Sequence, residues 1–209
     1  MYAAVLSVHP GLAGNSRLRA WPHEGRESYV TEMAVLLGAG VLATVATAFF
    51  DFGLRIPGHA ILRAVFPMSL GLALAPRRMG GVVMGIGAMG SAMVLTAGGM
   101  AALGSGAMTS LLLTGPMLDL ALWRPRHGWS LYVGFALAGL GSNLAALAVR
   151  AGGKLIGLEG AGGRPFGSWW PQAVGTYALC GLLAGLLSAA VWFRFRARSG
   201  PDAGRETQR

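Results

Sequence analysis

Residues 80–123 read GGVVMGIGAMGSAMVLTAGGMAALGSGAMTSLLLTGPMLDLALW, an apolar run rich in glycine. One continuous helix over this stretch would be about 66 Å long at ~1.5 Å per residue, roughly twice the thickness of a bilayer core. The chain must therefore turn within it. Gly104-Ser105-Gly106 is the best place for a tight turn, because two glycines flank a serine. The stretch is expected to form two membrane-spanning helices.

The composition supports a membrane location for the whole chain. Of its 209 residues, 54% are hydrophobic and only 12% are charged, and the mean hydropathy is +0.54. Soluble domains carry about 25% charged residues, because their surfaces must be polar. Glycine is abundant, with 34 copies. Glycine weakens helices in water but allows close helix contact in a bilayer.

Six apolar runs approach the length of about 20 residues that a spanning helix needs. We predict spans at Met33–Phe50, Pro57–Ala75, Gly80–Leu103, Ala107–Trp123, Ser130–Val149 and Ala173–Phe193. None of these runs alternates polar and apolar residues as a barrel strand does. The predicted fold is therefore all-α, a polytopic bundle of six transmembrane helices over residues 33–196. Residues 1–32 and 197–209 are expected to be cytoplasmic tails.

The positions of the arginines predict the orientation of this bundle. With six spans, four groups of arginines fall on one side: Arg17, Arg19, Arg26, Arg77, Arg78, Arg124, Arg126, Arg194, Arg196 and Arg198. The other side carries Asp51, Arg55, Lys154, Glu159 and Arg164. The positive-inside rule then puts both termini in the cytoplasm of a multi-pass protein of the cell (inner) membrane. Because the arginines lie between apolar runs and not on one polar domain, nucleic acid is not an expected partner.

Motifs of the common enzyme classes are missing from the sequence. It has no Gly-x-Ser-x-Gly elbow, no His-Glu-x-x-His and no phosphate-binding loop. The four histidines are scattered, and Cys180 is the single cysteine, so neither a metal site nor a cofactor is predicted. We expect a protein that is not an enzyme. Uphill transport would need an ion gradient or a separate ATPase.

Polar side chains inside spans are costly in lipid, and each is therefore a candidate for function. His59 and Arg63 are four residues apart and share one face of the second span. The other candidates share the same depth near the outer surface. The predicted small-molecule pocket consists of Arg55, His59, Arg63, Asn143, Trp169, Trp170, Gln172 and Tyr177. Its cationic residues favour an anionic ligand, such as a carboxylate.

Simpler roles are open for the same residues. Arg63 can extend its charge to the membrane surface, and Asn143 can bond to a neighbouring helix. Trp169 and Trp170 can belong to an interfacial aromatic belt. Asp119 lies near the inner end of the fourth span, where it can pair with Arg124 or Arg126, or can take part in coupling or proton movement.

Small residues recur at spacings of four in three spans. The pairs are Ala39 and Ala43, Gly81 and Gly85, and Gly181 and Gly185. Such spacing creates a flat groove for close contact between helices, in the simplest case within the same chain.

The six helices, the missing ATPase motif and the Ala39-x-x-x-Ala43 pair together resemble the substrate-binding S component of an energy-coupling factor transporter. The resemblance implies that Ala39 and Ala43 dock a coupling transmembrane protein that works with ATPase subunits. It also implies that the first external loop and the outer halves of later helices enclose a vitamin or a related small molecule. Nickel and cobalt members carry a histidine after the start Met, whereas Tyr2 stands here, which argues against a metal-ion substrate.

Three functions remain open at the level of the sequence. The first is a solute-binding subunit of an uptake transporter, energised by separate ATPases. The second is a self-contained permease or channel, for which inverted repeats would be expected, although the two halves have no clear repeat. The third is a membrane scaffold or assembly protein without a ligand.

Overall fold

The computed structural model describes residues 7–18, 26–50, 58–124, 128–157 and 166–195. Within these ranges the protein is all-α, and its β pairing is limited to two isolated bridges. In these described ranges a single helical turn is followed by six longer helices. The helices are α1 (Pro10–Ala13), α2 (Arg26–Phe49), α3 (Ile61–Leu74), α4 (Gly80–Ala97), α5 (Ser105–Ala121), α6 (Trp129–Leu155) and α7 (Phe166–Trp192).

Four of these helices are long and apolar enough to cross a membrane. The apolar segments are Tyr29–Phe49, Gly80–Ala97, Trp129–Leu155 and Trp169–Trp192. Large apolar side chains also cover the outside of the bundle; Ile86, Leu120 and Leu179 are 62%, 69% and 61% exposed. Water-soluble monomers rarely expose extended apolar surfaces, whereas lipid tails accept them. These features support the predicted class, a helical multi-pass membrane protein in contact with the bilayer.

The turn between α4 and α5 lies earlier in the chain than the predicted Gly104-Ser105-Gly106. Helix α4 ends at Ala97, and Gly99 follows with a positive φ of 67°. The amide of Met100 bonds to the Leu95 carbonyl at 3.0 Å, and the amide of Gly99 bonds to the Thr96 carbonyl at 3.1 Å. This pair of hydrogen bonds is a Schellman motif. The motif needs one residue in the left-handed conformation, which glycine adopts at little cost. The Gly98-Gly99 pair therefore ends α4, and Ser105 begins α5.

The beginning of α2 also differs from the predicted boundary at Met33. The helix begins at Arg26 and so includes the end of the predicted tail. Its Glu32 is fully buried, and the carboxylate accepts a bond from Arg77 Nε at 2.5 Å. Because a buried charge is tolerated only when it is paired, Arg77 allows this acidic turn to pack inside the bundle.

The six long helices form a closed ring in the order α2, α4, α5, α6, α7, α3. The shortest of them, α3, also contacts each of the other five. Its inward residues are correspondingly buried, and Ile61, Val65 and Met68 have no exposed surface. Helix α3 is therefore the central element against which the others pack.

The N-terminal residues 7–18 pack on one end of this bundle, which we name the arginine end for its residues Arg17, Arg77, Arg78, Arg124 and Arg194. At this end α3, α5 and α7 finish and α4 and α6 begin. The Ser16 hydroxyl donates to the Ala73 carbonyl at 2.7 Å, and the Arg194 amide donates to the Asn15 carbonyl at 2.6 Å. The segment therefore joins the ends of α3 and α7.

His9 anchors the same segment to two further connections. Its amide donates to the Pro76 carbonyl at 2.7 Å, and its Nε2 lies 2.6 Å from the Leu122 carbonyl. Nδ1 accepts the Leu12 amide at 3.2 Å, so Nε2 carries the proton and donates it to Leu122. Burial lowers the pKa of His9, and the charge of Arg78 acts in the same direction. A neutral imidazole therefore holds the segment in place.

Glycines bring pairs of helices into backbone contact. A Cβ on Gly185 of α7 would collide with the Phe135 carbonyl of α6, and one on Gly181 would lie 2.7 Å from the Gly139 carbonyl oxygen. In the same way, Gly81 of α4 and Gly115 of α5 face each other with no room for a side chain. The predicted glycine grooves are thus used for packing within the chain.

We predict that Gly185→Ala destabilises the bundle, while Gly175→Ala on the same helix does not. The added methyl at position 185 forces α6 and α7 apart, a type of overpacking that costs about 1–3 kcal/mol. Gly175 has no atom near its Cβ position, so alanine there is neutral or mildly stabilising. Thermal unfolding in detergent, followed by tryptophan fluorescence, measures both. Equal melting temperatures for the two variants would contradict the packing of α6 on α7.

Candidate functional site

A cavity of about 340 Å³ opens at the end of the bundle opposite the arginine end. It lies between the start of α3, the start of α5, the second half of α6 and the first half of α7. The lining residues are Gly58, His59, Ala60, Gly104, Ser105, Gly106, Ala107, Ser110, Asn143, Ala146, Arg150 and Tyr177. Cavities of this size are at the lower end of the range that binds small molecules.

Three of the predicted site residues meet in this cavity: His59, Asn143 and Tyr177. The Asn143 amide nitrogen donates to the Gly58 carbonyl at 3.1 Å and to the Tyr177 carbonyl at 2.7 Å. Both Nδ2 hydrogens are therefore used to join the turn before α3 to α7. Asn143 therefore lines the cavity, as the predicted pocket requires, and also bonds to neighbouring segments, as the simpler interpretation expected.

Arg150 is a lining residue that the sequence analysis missed. It lies seven residues after Asn143, so both side chains point from the same face of α6. Its Nη1 donates to the Tyr177 hydroxyl at 3.3 Å. The predicted fifth span ended at Val149, whereas α6 continues to Leu155 and presents Arg150 from a helix. The spacing from Asn143 would have identified it had the helix been extended by one residue.

The first turn of α5 supplies another part of the wall that was not predicted. Gly104 occupies the N-cap position, where it offers no side-chain acceptor. Ser110, one turn further along α5, is 6% exposed, and its hydroxyl has no hydrogen-bond partner within the part of the chain that the structure describes. The role of Ser110 was hidden in the sequence, because a small polar residue in an apolar run usually bonds to its own helix.

Arg63 does not line the cavity, although it lies four residues after His59. Its Nη1 donates to the carbonyl oxygens of Thr47, at 3.3 Å, and of Phe50. These carbonyls are at the C-terminal end of α2, where intrahelical donors are missing and a positive charge is favourable. Arg63 therefore caps α2.

The tryptophans and Gln172 lie beside the cavity but are not among its lining residues. Trp169 receives the Lys154 ammonium at 4.8 Å from its ring centre, and the Trp170 ring is 6.3 Å away. Trp170 and Gln172 are exposed. This arrangement fits an interfacial aromatic group that also fixes the end of α6. Arg55, the remaining predicted residue, lies outside the described residues.

The predicted docking pair faces the inside of the bundle. Ala43 has no exposed surface, and Ala39 is 8% exposed. A Cβ added to Gly71 of α3 would lie 2.7 Å from the Ala39 methyl group. In the described chain these two alanines therefore pack α2 against its own neighbours, and the exposed face of α2 carries Val41 and Leu42 instead.

Asp119 is buried at the arginine end, where it caps a neighbouring helix. Its Oδ1 accepts the Gly81 amide at 2.9 Å, and its Oδ2 accepts the Val82 amide at 2.7 Å. These amides belong to the first turn of α4, where no intrahelical acceptor exists and negative charge is favourable. Within the described ranges Asp119 forms no ion pair with Arg124, and Arg126 lies outside them. The described ranges also contain no group of three or more His, Cys, Asp or Glu residues that could hold a metal ion.

We predict that Asp119→Ala lowers the stability of the protein, because two buried amides of α4 lose their acceptors. Leaving a buried amide without its acceptor costs about 1–3 kcal/mol, so the melting temperature should fall by several degrees. Asp119→Asn keeps one acceptor oxygen, so its melting temperature should lie between those of the unmodified protein and Asp119→Ala. If Asp119→Ala unfolds at the temperature of the unmodified protein, the capping role is wrong; a stable Asp119→Asn protein that no longer supports solute uptake would point to coupling instead.

No family model, curated protein or solved structure matches this chain. The likeness to energy-coupling factor S components is therefore a prediction from architecture alone.

Proposed function

We propose that this protein is a six-span membrane protein that binds a small molecule in the cavity opposite the arginine end, as the solute-binding subunit of an uptake transporter. The observation that carries the proposal is the cavity itself. His59, Asn143, Tyr177 and Arg150 line this cavity at one end of an apolar bundle, and they come from three separate segments. Convergent polar groups in a concave site of this size are typical of ligand binding.

The proposed orientation follows from the distribution of charge. Arg17, Arg77, Arg78, Arg124 and Arg194 all lie at the end opposite the cavity. The positive-inside rule then favours a cytoplasmic arginine end and an outward-facing cavity. A solute could enter the cavity from outside without crossing the bilayer, as an uptake protein requires.

The two shortest helices, α3 and α5, complete the six proposed spans. They have 14 and 17 residues, which correspond to about 21 and 26 Å at ~1.5 Å per residue. Both are shorter than the ~30 Å of an average bilayer core. Helix α3 contacts every other long helix, so protein covers most of its length and relaxes the need to match the lipid.

Energy for uphill transport would come from a separate ATPase module, as in the family that the architecture resembles. The sequence lacks a phosphate-binding loop of its own. The docking surface for a coupling protein would be an exposed apolar face of the bundle, because Ala39 and Ala43 are buried.

A scaffold function is the second candidate, and Asn143 is the observation that favours it. Both of its amide hydrogens bond to backbone carbonyls, as expected of a residue that only stabilises the fold. The two functions differ in one respect that can be measured, which is whether the cavity holds a ligand.

We predict that the protein purified from its native membrane retains a small molecule, and that Gly106→Phe loses it. The nearest atoms to a Cβ at Gly106 are 3.6 and 3.9 Å away, so a phenyl group can be accommodated only by filling the cavity. Gly90→Phe is the matched control, because Gly90 is exposed on α4 with no atom near its Cβ position. Native mass spectrometry compares the three proteins.

A retained molecule in the unmodified protein and in Gly90→Phe, but not in Gly106→Phe, supports ligand binding in the cavity. Purified protein without a bound molecule would contradict the proposal and favour the scaffold. Uphill accumulation of the identified solute by the protein alone in liposomes would instead indicate a self-contained permease.

A further inference from the structure

We propose that the first turn of α5 and Ser110 bind an anionic group, a carboxylate or a phosphate, of the molecule in the cavity, with Arg150 as the neighbouring cation. This inference rests on the proposed function, because it assigns the chemistry of the same cavity. It differs from the sequence prediction, which attributed the anion to Arg55, His59 and Arg63.

The start of α5 has the geometry of an anion site. The amides of Ala107 and Met108 bond to the Gly104 carbonyl at 3.0 and 3.1 Å. The amides of Ser105 and Gly106 have no acceptor in the described part of the chain, since Gly104 has no side chain that could cap them. Amides without a cap lie at the N-terminus of the helix, which is the positive end of the helix dipole. Their N–H groups are directed out of the helix and favour a negatively charged partner.

Ser110 provides an independent indication of a ligand. It lies four residues after Gly106, so its side chain is on the same face of α5, and it lines the same cavity. Its hydroxyl is buried and has no partner in the part of the chain that the structure describes. A buried hydroxyl without a bond costs free energy, and a ligand oxygen that accepts its proton would remove this cost.

The charge of the wall points to the same class of ligand. Arg150 contributes a permanent positive charge from α6, and none of the described lining residues is acidic. Arg150 also donates to the Tyr177 hydroxyl, which holds its guanidinium at the wall. Because opposite charges attract, a wall that carries this positive charge favours an anionic ligand over a cationic one.

The size of the cavity limits the anion to a small molecule. About 340 Å³ admits a compound with one ring or a short chain. We therefore expect a small organic acid or a small phosphate ester, bound with its charged group at the start of α5 and its apolar part toward Ala60 and Ala146.

Benzoate and benzamide form a suitable pair of probes, because they share a ring and differ in the charge of one group. Thermal unfolding of the full chain in detergent, at constant ionic strength set with chloride, measures their binding, and inorganic phosphate is tested in parallel. Benzoate should raise the melting temperature and benzamide should not. A shift by phosphate as well would identify a general oxyanion site, whereas a shift by benzoate alone would identify a carboxylate site; both outcomes support the inference.

Two variants test the residues. Ser110→Ala removes one hydrogen bond to a charged group and should weaken benzoate binding about tenfold or more, and Arg150→Gln should weaken it at least as much. Arg124→Gln, at the arginine end, is the control and should bind benzoate as the unmodified protein does. Ser110→Ala removes a hydroxyl that has no partner in the described chain, so its folding should be unaffected even if Arg150→Gln is unstable.

Equal shifts by benzoate and benzamide would overturn the anion site while leaving a ligand-binding cavity intact. The absence of a shift by benzoate and phosphate at concentrations well above a millimolar Kd would also overturn it. In either case a neutral molecule retained by the native protein would still support the proposed function, so the two failures can be distinguished.

Discussion

Backbone contact between helices, made possible by glycine, is the constraint on which the rest of this structure depends. Gly81 and Gly115 bring α4 against α5 so closely that no side chain fits between them. Asp119 can reach the amides of Gly81 and Val82 only because of this contact. A Cβ at Gly81 would lie 2.8 Å from the Asp119 Cγ atom, so even alanine there would displace the cap. At this end of α5, the close packing of the helices therefore also provides the acceptors for the buried amides.

The two ends of α5 have opposite roles. Its last turns are held against α4, and residues 7–18 close the arginine end through His9, which bonds to the carbonyl of Leu122 just after α5. Its first turn has no side-chain cap from the described residues and opens on the cavity beside Arg150. One helix therefore connects an end that is bonded to α4 and to residues 7–18 with an end whose first amides have no acceptor in the described chain. A ligand is the partner that we propose for those amides.

Much of the helical architecture could be predicted from the sequence, because apolar runs and glycine spacing are local properties. The turn after α4 was misplaced, because Gly98-Gly99 can also end a helix and the sequence alone does not show which group of glycines does so. The site was predicted less well for a different reason. Arg63 shares a helix face with His59, but its side chain donates hydrogen bonds to the carbonyls at the end of α2. These bonds depend on how α2 and α3 pack. The bonds made by residues 7–18 are likewise non-local and leave no periodic pattern in the sequence.

We propose a membrane bundle whose cavity faces away from the arginines, toward the outside of the cell. Because Cys180 is the single cysteine, replacing it with alanine gives a background for single-cysteine labelling. Ser105→Cys lies at the mouth of the cavity and Arg124→Cys at the arginine end. In intact cells a membrane-impermeant maleimide should label position 105 and should reach position 124 only after permeabilisation. Labelling of position 124 in intact cells, with position 105 protected, would contradict the account.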